Sequence, residues 1–572
     1  MLWAVDQRDA YANLLLPSLL RERGIEGRDA ALATELTYGT LRGLQTYDAI
    51  LDLCSDRSAA DIDPPVREVL RLGTHQLLGT RVASHAAVAT SVDLAKDVVG
   101  MRPAGFVNAV LRRVSTREQA EWLQIIAPAR EADPIGYLAA THSYPRWIVE
   151  AFRAALGEDP KLGLPETEEA LTAGNTRPKI TLAALPGLAA REELLNSELL
   201  NKAKAPAAET GGPAKAGASS GGPSDGPGVP AAEPARWSPF GVILPGGDPS
   251  AIPAVAEGRA FVQDEASQLA ALALAYAPVA PRTSSEPRAS AAEAWLDLCA
   301  GPGGKAAVLA AVAQNSAQSE TSAIPPAPQA PPDRQAPPDP QATPGRQAPP
   351  ARQSPQVPQV PARVHLLASD IRPHRAELTR AHLRRLPGAA VVAADGRAGA
   401  WRPGTFARVL ADVPCSGLGA LRRRPEARWR KSPEDVENLG GLQRDLLNAA
   451  IDAARPGGVV AYVTCSPHRA ETQSVVHDVL SHRSDVTILD APAILADALR
   501  VASRDPADES APDSGREAVP DTVYEDAREP AREIPGLRSP APNGCYAQFW
   551  PHRHGTDAIF LALLRREHPQ ST

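Results

Sequence analysis

From Trp295 onward the chain repeats one pattern: a short apolar run, a turn of Gly, Pro or charged residues, then an amphipathic stretch. The runs at 295–298, 364–367, 389–393, 406–410 and 459–463 read as buried strands. The stretches at 306–313, 375–386, 433–454 and 469–482 read as helices between or after them, and 558–564 as a closing strand. Alternation of this kind predicts a doubly wound α/β sheet with helices on both faces. In such a sheet the ligand crevice lies outside the carboxyl ends of the strands. The residues just past each run are therefore the candidates for chemistry.

Two of those positions are cysteines. Ala411 to Gly419 reads ADVPCSGLG and Val463 to Pro467 reads VTCSP, so Cys415 and Cys465 each follow a strand, with Asp412 beside the first. A free cysteine is often an inert packing residue. Two at strand ends, with a carboxylate between them and the sheet, read as a nucleophile and its partner. The first strand runs into Asp297-Leu298-Cys299-Ala300-Gly301-Pro302-Gly303-Gly304-Lys305. Glycines there let backbone approach a nucleotide-like ligand, and the helix that follows offers unpaired amides. The turn is not the dinucleotide fingerprint, and Lys305 is followed by alanine rather than the Ser or Thr of a P-loop. Asp370 ends the second strand, where an acid takes ribose hydroxyls, and Asp395 follows the third, placed for a base edge. Each aspartate alone reads better as a cap or turn former. The ordered set describes a nucleoside cofactor without a pyrophosphate, and S-adenosylmethionine fits it.

The rest of the chain is read by composition. With 572 residues it has room for two or three domains, and 57 prolines with 42 glycines mark part of it as linker. The expected layout is an all-α domain over 1–125 and a small α/β connecting domain over 126–202. A disordered linker over 203–236 follows, then an α/β domain over 237–572 with low-complexity insertions at 314–362 and 503–535. Within the connecting domain, 142–154 reads as a helix and 177–182 as a strand. Five cysteines without CxxC spacing predict neither a disulfide framework nor a metal site, and Cys54, Cys299 and Cys545 read as inert. His85 and His468 read as packing or surface residues. No basic leader precedes an apolar core at the N-terminus and no run is long enough to span a membrane, so a cytoplasmic, monomeric protein without a membrane partner is expected.

Net charge is −7, which argues against nucleic acid only as an average. Residues 363–431 carry fifteen Lys/Arg and five acids, whereas 485–533 carry five Arg and thirteen acids. Arg422, Arg423, Arg424, Arg428, Arg430 and Lys431, with Trp429 among them, are expected at an RNA backbone.

Asp297 to Lys305, Asp412 to Cys415 and Thr464-Cys465-Ser466 together resemble the RsmB-like ribosomal RNA cytosine-5 methyltransferases. Ile62-Asp63-Pro64-Pro65, Ser84 to Val88 and Phe106 to Arg113 resemble the NusB-like domain that begins such chains. Gln263 to Ser267 and Phe549 to Asp557 also match, so the resemblance spans nearly everything outside the low-complexity stretches. It implies a multidomain protein, NusB-like and all-α at its N-terminus, with a Rossmann-like class I methyltransferase domain behind. It implies that Cys465 attacks carbon 6 of cytosine, that Cys415 assists release, and that Asp412 meets the base around N3. It implies S-adenosylmethionine held by Cys299, Ala300, Gly301, Pro302, Gly303, Gly304, Lys305, Asp370, Arg375, Asp395 and Asp412, with small-subunit ribosomal RNA as partner. From residue chemistry alone the order of the two cysteines stays open. So do two other functions: a transfer-RNA cytosine-5 methyltransferase, and a noncatalytic NusB-like RNA-binding regulator.

Overall fold

The computed structural model describes residues 1–159, 164–196, 231–281, 292–322, 360–361, 363–503, 533–540 and 544–568. Most of the expected linker and of both expected insertions lies outside the described residues.

The large sheet runs, edge to edge, Val486–Leu489, Phe560–Arg566, Ala454–Thr464, Phe406–Asp412, Glu293–Asp297, Val364–Asp370 and Ala389–Ala393. The pairings from Ala454–Thr464 to Ala389–Ala393 are parallel. The central strands are apolar on both faces because helices cover both: Phe406 to Ala411 are all buried. The order reverses at Glu293–Asp297, whose parallel neighbours are Val364–Asp370 on one side and Phe406–Asp412 on the other. That reversal is the topological switch point, where a ligand crevice opens. Phe560–Arg566 is antiparallel to both of its neighbours, and Ala547–Gln548 pairs with it. Its direction matters: Phe560 sits opposite Thr464, so the segment just before it lies at the crevice. The structure is thus a mixed Rossmann-like sheet rather than a wholly parallel one.

Helices precede it. Leu2–Gln7, Ala12–Glu22, Gly27–Arg42, Leu44–Cys54, Pro64–Gly79, Ser84–Val98, Ala104–Val114 and Gln119–Ile126 form the N-terminal helical domain. Pro64 opens its helix where a missing N–H costs nothing. Ile50, Leu70, Val107, Leu111 and Trp122 make its core.

Three expectations change between the domains. The helix expected over 142–154 is two, Pro134–His142 and Arg146–Leu156, broken at Ser143, whose φ of 56° is left-handed. The strand expected to end at 182 is Ile180–Ala184. It belongs to a second sheet, ordered Glu233–Pro234, Gly241–Leu244, Ile180–Ala184, Ala260–Val262. That sheet takes strands from both sides of the boundary expected at 237, because Leu182, Val242 and Phe261 share one core with the large sheet's helices. Farther on, the helix that begins at Gly304 runs to Ser322, past the insertion boundary expected at 314. No helix among the described residues is long and apolar enough to cross a membrane.

Candidate active site

The two cysteines meet. Strands Phe406–Asp412 and Ala454–Thr464 are adjacent and in register, Asp412 opposite Val463, so the loops after them leave the sheet side by side. Cys415 Sγ and Cys465 Sγ are 3.2 Å apart, both half-buried. The second loop is tied to the first where Gly419 N donates to the Cys465 carbonyl, and Ala558 N donates to the Gly419 carbonyl. A Cβ at Gly419 would fall 1.9 Å from that Ala558 oxygen, so only glycine permits this approach. The contact makes the thiols unequal. The hydrogen bond with Cys415 lowers the Cys465 pKa; burial and the Asp412 charge oppose this, and the Lys305 charge adds to the lowering. The same bond, together with burial, raises that of Cys415. Of the two, Cys465 is the more easily ionised thiol and Cys415 the less.

Lys305 lies in the first turn of helix Gly304–Ser322, where the helix dipole disfavours a cation. Its partner explains the position: Nζ donates to Asp412 Oδ2 at 2.6 Å. Burial works against the ammonium, but the Asp412 carboxylate outweighs it and the Lys305 pKa is raised.

The Gly-rich turn is pinned from the neighbouring strand. Gly301 N donates to Asp370 Oδ2 at 3.0 Å, and Thr379 Oγ1 donates to the Gly301 carbonyl at 2.6 Å. Asp370 Oδ1 also accepts from Arg372 N. Gly303, at φ 94°, would bring a Cβ to 2.9 Å from Thr379 Cγ2, whereas a Cβ on Gly301 would meet only open space and one carbonyl. The turn is therefore closed on its helix side and open on the crevice side. Asp395 caps the short helix Gly396–Ala398 and pairs with Arg397. Arg375 stands exposed on helix Pro373–Leu383. Burial and the surrounding aspartates push the Cys299 thiol up, which keeps it inert.

Sequence reasoning left out Asp297 as a site residue. Its side chain is buried without a side-chain hydrogen-bond partner among the described residues, and the Cys299 backbone N–H only partly offsets the burial. Burial and the nearby Asp412 charge push its pKa up to about 8. It also left out Glu471, Ser416, Ser466 and Gln443, which bridge the two cysteine loops from below. Nothing in their spacing marks them, because they become neighbours only when two strands pair.

The arginines after Cys415 are not an RNA-facing stripe. Arg422 and Arg423 both pair with Asp264 and Asp557, in a buried box that joins two of the motifs quoted above. Arg428 is fully buried. Its guanidinium donates to the carbonyls of Arg42, Ser143 and Gly174 and to Tyr144 Oη, and lies 3.6 Å from the Tyr144 ring centroid. Arg430 donates to the carbonyls of Val5, Asp9 and Ala10. Glu426 accepts from Ala12 N. Arg424 stays exposed, its guanidinium 5.7 Å from the Tyr11 ring centroid. The segment is a latch that holds the helical domain against the Cys415 loop. A cluster of charges signals charge, but not whether its partner is phosphate or the protein's own carbonyls.

With this geometry in hand, relatives can be placed. The model of the family described as 16S rRNA methyltransferase RsmB/F matches residues 348–565, and that of the NusB family matches residues 1–116. A putative methyltransferase of Mycobacterium tuberculosis is 41% identical over 98% of this chain and 94% of its own. Ribosomal RNA small subunit methyltransferase B of Pseudomonas syringae pv. tomato is 28% identical over 85% of this chain and 86% of that one. Its probable counterpart in Bacillus subtilis is 27% identical over 98% and 96%. The crystal structure of PH0851 shares the fold, with a TM-score of 0.60 at 17% identity, over 96% of this chain and 93% of that one. The chain belongs to the RsmB/F family of rRNA methyltransferases, with a NusB helical domain ahead of a Rossmann-like methyltransferase domain.

Proposed function

We propose that this protein transfers a methyl group from S-adenosylmethionine to carbon 5 of a cytosine in small-subunit ribosomal RNA, through a covalent adduct on Cys465. The observation that carries this reading is the pair of unequal thiols, 3.2 Å apart, at the crevice end of two adjacent strands. Carbon 5 of cytosine is a weak nucleophile. Addition of the Cys465 sulfur to carbon 6 moves the electron pair of the 5,6 double bond toward carbon 5, which becomes an enamine carbon. Asp412, steadied by Lys305, faces the base around N3. After methylation the proton on carbon 5 leaves, the 5,6 double bond re-forms, and the carbon–sulfur bond breaks. Cys415 serves this release.

The cofactor supplies an electrophilic methyl group on a sulfonium centre. The residues fit such a cation: the buried Asp297 carboxyl ends the strand that leads into the open Gly-rich turn, with no ion pair among the described residues. Cys299 to Gly304 would offer backbone, Asp370 and Asp395 would offer carboxylates for ribose and base, and Arg375, Lys305 and Asp412 complete the set of residues that would hold it. Asp370→Ala is expected to weaken cofactor binding at least tenfold, about 1.4 kcal/mol. It removes both the ribose ligand and the anchor of Gly301, and calorimetry with purified protein measures it.

The raised pKa of Asp297 has a sign. Between the usual carboxylate range and about 8, the folded chain holds a proton that the unfolded chain has lost. Its contribution to stability therefore falls as pH rises through that window. A bound cation favours the ionised form, so cofactor binding at pH 7 is expected to release up to about one proton. Titrations in buffers of different ionisation enthalpy count it, and Asp297→Asn should abolish it.

Bisulfite sequencing of ribosomal and transfer RNA from a strain lacking the gene tests the substrate. Loss of a protected cytosine in small-subunit rRNA is the expected result. Loss in transfer RNA alone would overturn the assignment.

A further inference from the structure

Beneath the two sulfurs lies a carboxylate that the proposed chemistry does not use. Glu471 ends the short helix Arg469–Glu471, six residues after Cys465, and is fully buried. Oε1 accepts from Ser416 N at 2.6 Å and from Gln443 Nε2 at 3.3 Å, and Oε2 accepts from Ser416 Oγ at 2.5 Å. No cation is bonded to it among the described residues. A buried carboxylate with only neutral donors costs folding energy that an apolar residue would not. Its neighbours show what it holds. Ser416 follows Cys415 directly and Ser466 follows Cys465, their hydroxyl oxygens 3.3 Å apart. Gln443, from helix Pro433–Ala453, also donates to the Pro414 carbonyl at 2.9 Å, so Cys415 is fixed on both sides. The Cys465 side is fixed as well: Tyr462 Oη donates to the Glu471 carbonyl, and Thr464 Oγ1 to the Ser466 carbonyl.

We infer that Glu471 is a positioning residue for product release: through Ser416 it sets Cys415 against Cys465. This inference rests on the proposed covalent mechanism. The bonds of Glu471 go to the Cys415 loop, whereas Cys465 is held mainly by its own strand and by Gly419. Loosening Glu471 should therefore disturb Cys415 more than Cys465. In chemical terms, formation of the Cys465–carbon 6 bond should survive, while loss of the carbon 5 proton and breakage of that bond should slow.

Glu471→Gln keeps the shape but offers an NH2 where Ser416 needs an acceptor. With a small-subunit rRNA transcript and S-adenosylmethionine, its single-turnover methyl transfer should stay within about threefold of the parent, by analogy with interactions absent from the first transition state. Its steady-state turnover should fall on the order of 100-fold, with a methylated protein–RNA species persisting on denaturing gels. Ser416→Ala, which loses only the hydroxyl, should show the same split more weakly and guards against misfolding of the first variant. A merely structural role would lower both steps together, and that result would overturn the inference. So would normal release by both variants while Cys415→Ala stalls, an outcome that leaves the covalent mechanism standing. Normal release by Cys415→Ala itself would overturn the mechanism and the inference with it.

Discussion

Cys465→Ala is expected to stop methyl transfer at its first step. Without a sulfur at this position carbon 6 gains no substituent, and carbon 5 keeps the reactivity of free cytosine. Losing a nucleophile of this kind costs on the order of 10^4-fold or more, about 5 kcal/mol of barrier. The fold should be unchanged, since alanine fits among the buried residues of the loop and the Cys465 backbone bond from Gly419 remains. The effect should lie in the single-turnover rate and not in RNA or cofactor affinity. Rapid-quench kinetics with saturating RNA would show it; residual transfer within tenfold of the parent would contradict it. The unequal thiols add a pH signature. Cys465 is the lowered member and Cys415 the raised one, so iodoacetamide should label Cys465 first as pH rises from acid.

The second large effect concerns the latch. Arg428 is a buried cation whose pKa burial drags down to about 10, still charged at neutral pH. Four acceptors converge on it from three separate helices or their ends: Arg42, Ser143 with Tyr144, and Gly174. Arg428→Met keeps the apolar stem and leaves those acceptors without a donor. The expected loss is about 3 kcal/mol, because buried acceptors left without donors cost about 1–3 kcal/mol each and relief of the buried guanidinium's desolvation offsets part of that. Lysine should not rescue it, because one ammonium cannot span a planar fork of donors. Denaturant unfolding should separate into two transitions, with the helical domain released before the sheet domain melts. One cooperative transition at the parent midpoint would contradict the latch.

How much of this was legible in the sequence differs between sheet and site. The strand runs stood out because strands covered on both faces are continuously apolar, as at Phe406 to Ala411. The cysteine pair followed from the same logic, since strand ends converge on one crevice. The Lys305–Asp412 contact was also within reach, since Asp412 ends one strand and the turn leading to Lys305 leaves the end of its parallel neighbour. The partners of the arginines were not. Arg422 finds Asp264 and Asp557 across more than 130 positions, and Arg428 finds Arg42 across 386. A local pattern carries no record of such distant pairing. Glu471 and Asp297 escaped for a related reason: burial, not residue type, makes them unusual. The sheet formed by Ile180–Ala184 with Gly241–Leu244 and Ala260–Val262 spans the boundary expected at 237. A composition shift between them suggested a break that the hydrogen-bond ladder crosses.

The central claim is that Cys465, not Cys415, bonds to carbon 6. RNA carrying 5-fluorocytidine in place of cytidine tests it most directly. Fluorine at carbon 5 leaves no proton to lose, so the sulfur that attacked stays attached after methylation. Proteolysis and mass spectrometry of the protein–RNA species then read which cysteine carries the base. The account predicts the methylated fluoropyrimidine on the peptide containing Cys465, and none on that containing Cys415. The label on Cys415, or methylated RNA with no bound protein, would contradict it.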